Sequence, residues 1–236
     1  MTESPELRWA FIRKIYTILS IQMLLTVANS AIVISVKPIP HFFVSSGAGL
    51  GLYLFLLIFP FLGTLFFAFF KHFDVKNLLI PLYFYHQRHP INLILLTLFT
   101  ISLSFAVGVT CAFTKGKVIL EAAILTGVVV ISLTLYTFWA AKRGHDFTFL
   151  GPILFSSVIV LLVFGLIQVF FPMGRISVMI YGGLGALVFS GYIIYDTDNL
   201  IKRYSYDEYI WAAVALYLDI INLFLSLLAL FRAADG

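Results

Sequence analysis

Seven stretches of this chain, at about residues 15–36, 46–70, 91–113, 118–140, 148–171, 176–201 and 208–231, are each almost wholly apolar. Each is close to or above the roughly 20 residues a helix needs to cross a hydrocarbon core. The runs are continuous rather than alternating, and lipid admits only helices or closed barrels, so strands are excluded. Charge, Pro or Gly bounds every run. Composition closes the argument, because 61% of the residues are hydrophobic and only 11% are charged. A soluble domain is about a quarter charged. The sequence therefore predicts an all-α, polytopic membrane protein, a single transmembrane domain over residues 1–236 with seven helices. A disordered tail protein, a disulfide scaffold and a nucleic-acid binder are excluded by the same arithmetic. Cys111 is alone, which rules out an intrachain disulfide and suits a small apolar filler.

The first run raises a question of processing. Arg8, Arg13 and Lys14 precede it, and Ala28-Asn29-Ser30 resembles a cleavage site for a secretory signal. The apolar stretch continues through Ala31 to Val36, longer than a signal core, so an uncleaved first helix is expected. Orientation follows from the basic residues in the flanks. A cytoplasmic N-terminus puts Arg8, Arg13, Lys14, Lys71, Lys76, Arg88, Lys142, Arg143, Lys202 and Arg203 inside. Lys37, Lys115, Lys117, Arg175 and Arg232 fall on the other side. That majority favours seven crossings with the N-terminus in the cytoplasm. The weak point is the last run, where a central Asp219 leaves a re-entrant segment open.

Residues 71–90 read as a cytoplasmic loop. Leu78 to Tyr85 is too short to cross, and Tyr83, Phe84 and Tyr85 are expected at headgroup level. His72, His86 and His89 have no compact ligand spacing and are read as solvated. No internal repeat is evident, which weakens an inverted-repeat transporter fold.

In such a chain, ionisable residues at membrane depth mark function. Glu121 lies one turn into the fourth run, where a helix N-terminus stabilises a carboxylate, so a dipole-stabilised rim acid and a cation-attracting mouth are both open. Asp219 is central in Trp211 to Phe231, a position costing about 3 kcal/mol for an isolated Asp. Asn222 follows it by one turn, as Asn199 follows Asp196 at the end of the sixth run. Two consecutive antiparallel helices thus each present a carboxylate with an amide beside it. Asp219 stands about eleven residues beyond Glu208, roughly 16 Å deeper at 1.5 Å per residue, so straight, untilted helices are not expected to join the pair. Asp198, about 200° round the helix from Asp196, is assigned to the interface.

If the acids do meet, they cannot both ionise freely and must titrate as a pair sharing one proton. Losing that proton would part the helices or admit a cation. Carboxylates and amide oxygens are hard ligands of the kind Ca²⁺ takes, so Asp196 and Asp219 are candidate Ca²⁺ ligands. In the competing reading each Asp bonds a neighbour and locks helix packing. Gly182, Gly183, Gly185, Ala186, Ser190 and Gly191 supply small-residue spacing beside them, common in membrane bundles.

The run Gly191-Tyr192-Ile193-Ile194-Tyr195-Asp196, then Asp207-Glu208-Tyr209-Ile210 and Leu216-Tyr217-Leu218-Asp219-Ile220-Ile221-Asn222-Leu223-Phe224, resembles the carboxyl-terminal signature of the Bax inhibitor-1 family. It is closest in flavour to the plant Lifeguard branch. Leu120-Glu121-Ala122 and Phe105-Ala106-Val107-Gly108 resemble that family's middle spans, and the likeness covers roughly Leu82 to Phe231. The resemblance implies seven helices in the endoplasmic reticulum or another internal membrane, Golgi or vacuolar membranes included. It further implies a pH-sensitive Ca²⁺ leak that lowers luminal calcium and restrains cell death, gated by an acid pair falling on Asp196 and Asp219. A basic partner in some members corresponds to Arg88. This chain departs from the pattern at roughly Phe66 to Ile80, which looks inserted.

A proton-gated Ca²⁺ leak is the leading expectation, with Ca²⁺ as permeant ion, no tightly bound cofactor and no enzymatic activity. Its partners are then membrane lipid, Ca²⁺, protons and cell-death regulatory membrane proteins, with no nucleic acid. A membrane adaptor whose acids are structural is the alternative. An intramembrane aspartyl protease is the remote one: Tyr195-Asp196 resembles half of the presenilin signature, but the Gly-x-Gly-Asp half is missing.

Overall fold

The structure is a computed structural model describing residues 5–49, 51–52, 55 and 90–235. Among these the regular structure is helical and no strand occurs. The helices are α1 (Pro5–Ser35), α2 (Pro38–Ser45), α3 (Ile91–Ala112), α4 (Gly116–Lys142), α5 (Leu150–Phe170), α6 (Arg175–Lys202) and α7 (Tyr209–Asp235), with a 3-10 turn at Tyr206–Glu208. All but α2 are long and apolar enough to cross a membrane, so six candidate spans stand among the described residues. Most of the expected second span, the 71–90 loop with its histidines and Arg88, and the apparent insertion at 66–80 lie outside them.

Two boundaries need correction. The first helix begins at Pro5, about ten residues before the apolar run. A hydropathy window finds only the part that crosses lipid, whereas Phe11, Ile12 and Ile15 are already buried against other residues. The eight-residue α2, with Pro at its first turn, falls in a stretch taken for connection. The suspected re-entrant segment is instead an unbroken helix, since α7 runs for 27 residues, about 40 Å.

Local chemistry explains the helix ends. At the end of α4, Gly144 adopts φ +80°, a left-handed conformation that suits glycine. Its N–H donates to the Ala141 carbonyl at 3.1 Å, and the His145 N–H donates to the Ala140 carbonyl at 3.2 Å. These are the two bonds of a Schellman cap. Before α7, Ser205 and Glu208 form a reciprocal capping box, with the Ser205 N–H donating to Glu208 Oε2 at 2.9 Å.

The chain divides into two compact units, Met1–Phe113 with Ser205–Tyr217, and Thr114–Tyr204 with Leu218–Gly236. Helix α7 contributes its first part to one and its second part to the other. Two thirds (67%) of its apolar window is buried, against 17–44% for the other five candidate spans. A helix apolar on all sides is a core helix, and α7 is one.

In the first unit α1 and α3 are joined by polar side chains. Gln22 Nε2 donates to Thr100 Oγ1 at 3.0 Å, Asn29 Nδ2 to Ser104 Oγ at 2.6 Å, and Ser30 Oγ to the Ser104 carbonyl at 3.0 Å. Thr26 Oγ1 lies 2.7 Å from Tyr217 Oη on α7. Such bonds hold helices together where lipid supplies no hydrophobic drive. Lys14 Nζ sits 3.3 Å from the Tyr209 ring centroid, and Asn92 Nδ2 donates to the Tyr209 hydroxyl at 2.7 Å.

Candidate functional site

The second unit holds the acids. Its helices α6 and α7 approach closely because glycines face the contact. A Cβ on Gly182 would lie 2.7 Å from the Ser226 carbonyl oxygen, and one on Gly185 would lie 2.5 Å from Ser226 Oγ. Gly191 meets Leu154 of α5 in the same way, whereas Gly183 faces open space. The small-residue stripe is therefore partly contact and partly not.

This packing brings Asp196 and Asp219 within hydrogen-bonding reach of each other. The expectation that straight helices would keep them apart is corrected, because the two depths must be counted from the same turn. Asp196 lies six residues inside the end of α6 at Lys202, about 9 Å, and Asp219 ten residues inside the start of α7 at Tyr209, about 15 Å. The remaining 6 Å or so of rise is spanned by two side chains.

Asp219 is 3% exposed. Its Oδ2 is buried with no hydrogen-bond partner among the described residues. Asp196 is half-buried and accepts a hydrogen bond from Asn199 Nδ2 at 3.2 Å. Tyr192, one turn before Asp196, is buried within electrostatic reach of both carboxyl groups, with Tyr195 beside it. Asn222 is buried one turn beyond Asp219.

Other expected residues do not join this group. Glu121 is exposed on α4 and pairs with Lys117 at 3.7 Å, an i,i+4 contact at the helix start. Arg88 lies outside the described residues. For a divalent ion, the described residues offer the two carboxylates with their neighbouring amides, and no three of His, Cys, Asp and Glu come together.

Asp198, assigned to the interface, is buried in the protein. Lys202 Nζ lies 2.5 Å from its Oδ1, and the Phe147 N–H donates to its Oδ2 at 3.4 Å. Lys202 also donates to the His145 carbonyl, and Arg203 to Thr148 Oγ1. Arg203 is 3.7 Å from Asp146. The exposed Asp146 accepts from both the hydroxyl and the N–H of Thr148, at 2.5 and 3.1 Å. These bonds hold its carboxyl below the usual carboxylate range. Sequence could have found Asp198: an Asp four residues before a Lys on a helix is a pairing signal.

Residues 8–236 match the family described as inhibitor of apoptosis-promoting Bax1. Protein LIFEGUARD 4 of Arabidopsis thaliana is 63% identical over 235 residues, covering 100% of this chain and 89% of that protein. Protein lifeguard 4 of Mus musculus is 38% identical, covering 98% and 88%. The Golgi anti-apoptotic protein of Vaccinia virus (strain Lister) is 34% identical, covering 98% and 89%. With a family match over nearly the whole chain and relatives of 34–63% identity along most of their lengths, this chain belongs to the Bax inhibitor-1 family.

Proposed function

We propose that this protein restrains cell death from an internal membrane by a pH-sensitive Ca²⁺ leak, with Asp196 and Asp219 as its gate. The observation that carries the reading is the buried Asp219 carboxyl set beside Asp196, with an Oδ2 that no described donor satisfies. A central acid is costly in lipid and is retained where it serves an ion or proton. When the pair shares a proton, α6 and α7 are held together; when the proton leaves, repulsion or an entering Ca²⁺ parts the carboxyl groups. Asn199 steadies Asp196 through its amide, and Tyr192 shields the pair. The relatives named for Golgi and anti-apoptotic action support the cellular half of the proposal.

Seven crossings with a cytoplasmic N-terminus complete the reading. To the six candidate spans of the described residues the sequence adds an apolar run at 46–70 of sufficient length, and the basic majority then falls inside. The protein acts on an ion and on partners rather than as an enzyme.

The test is Ca²⁺ flux into liposomes holding the purified protein, measured across pH for the wild type, Asp196→Asn and Asp219→Asn. The expected result is a pH-dependent flux whose dependence is flattened in both variants. Identical flux and pH response in all three would leave the acids structural and favour an adaptor.

A further inference from the structure

A second set of charges lies at the end of α6, two residues past the gate. It links the helix to the loop between α4 and α5. The starting point is the Schellman cap of α4, which holds His145 by its N–H on the Ala140 carbonyl. The carbonyl of that fixed residue accepts from Lys202 Nζ. The same ammonium lies 2.5 Å from Asp198 Oδ1, while Asp198 Oδ2 accepts from the Phe147 N–H. Lys202 thus bonds to α6 and the loop at once, and Asp198 does the same from the helix side. Arg203 doubles the link outside, on Thr148 and Asp146. Asp198 is 2% exposed at its side chain and Lys202 29%, so water screens this ion pair less than it would an exposed one.

We infer that Asp198 is a positioning residue, which with Lys202 straps the end of α6 to the α4–α5 loop and thereby holds Asp196 against Asp219 in the closed state. It touches neither the permeant ion nor Asp219. It acts by fixing the helix turn that carries Asp196, since two residues of rigid helix separate them. The inference rests on the proposed function, and the experiment separates the two.

Full-length protein in liposomes is assayed for Ca²⁺ flux at the pH where the wild type is least active. Asp198→Asn and Lys202→Met are compared with the conservative Asp198→Glu, with Arg203→Gln, and with Asp196→Asn as reference. Loss of the strap is expected to raise the closed-state leak about three- to tenfold in Asp198→Asn and Lys202→Met, the range typical of remote coupling. A smaller rise is expected in Arg203→Gln. Asp198→Glu, which keeps the charge, is expected to restore most of the closed state; a merely structural role would not show that rescue. If Asp198→Asn does not fold, Lys202→Met and Arg203→Gln carry the test. Wild-type leak in the strap variants while Asp196→Asn is altered overturns the strap and leaves the gate standing. Wild-type behaviour in every variant, Asp196→Asn included, overturns the gate itself.

Discussion

Gly182 of α6 stands so close to Ser226 of α7 that a methyl group there would lie 2.7 Å from the Ser226 carbonyl oxygen and 2.8 Å from the Leu230 nitrogen. Both are backbone atoms and cannot swing aside. Gly182→Ala is therefore expected to destabilise the folded protein by about 1–3 kcal/mol, the usual cost of overpacking. Gly183→Ala, one residue on, meets nothing within 4 Å and is expected to be neutral or slightly stabilising through helix propensity. Thermal unfolding in detergent compares the two; equal melting would show that the α6–α7 contact is looser than described.

Among the described residues, the Asp219 Oδ2 is buried without a hydrogen-bond partner, a condition costing about 1–3 kcal/mol. Asp219→Asn places an amide donor beside the Asp196 carboxylate and removes one of two adjoining acids. The variant is expected to unfold at a higher temperature than the wild type at neutral pH. A lower one would mean that the carboxyl makes a stabilising contact the amide cannot replace.

Tyr217 and Thr26 share a hydrogen bond of 2.7 Å inside the first unit. Thr26 Oγ1 also donates to its own helix at the Gln22 carbonyl, at 2.8 Å, so it keeps a partner when the tyrosine hydroxyl is lost. Tyr217→Phe should then cost only about 0.5–1.5 kcal/mol. A double-mutant cycle with Thr26→Val should show a coupling of about 0.6 kcal/mol, the average for such bonds in a membrane. No coupling would place the hydroxyl's contribution elsewhere.

Asp146 supplies a pH dependence outside the membrane. Its carboxyl is held below the ordinary range in the folded protein, first by the Thr148 hydroxyl. A depressed folded-state value contributes stability that is present above the unfolded value, about 3.9, and is lost as pH falls through the folded one. Thr148→Val removes the larger cause, and the carboxyl titration, followed by NMR of the Asp146 side chain, is expected to move upward. An unmoved titration would assign the effect to the Thr148 N–H, which the variant keeps, with Lys202 and Arg203 behind it.

Much of this architecture was readable from hydropathy alone, because a lipid solvent reduces the choice to helices and their length. The five spans after residue 90 fall within a few residues of the apolar runs. The start of α1 did not, since Glu6 to Lys14 is too charged for a hydropathy window yet forms good helix and buries Phe11 and Ile12. Asp219 stood out by cost, and Asp196 by an amide one turn on, a pattern it shares with Asp219. Their proximity was obscured by a depth counted from one side of the hairpin only. Asp198 was assigned by its angle on an isolated helix; its burial depends on the α4–α5 loop, whose approach no local pattern in α6 announces.

Because α7 completes each of the two units in turn, with Ser205–Tyr217 in one and Leu218–Gly236 in the other, neither can finish before it is made. Of the described helices it is the last to leave the ribosome, and its acid discourages independent partitioning into lipid. Biogenesis should accordingly be all or nothing: nascent chains interrupted upstream of residue 205 leave two unfinished cores at once, and surveillance would meet them as a single defective species rather than as a usable half.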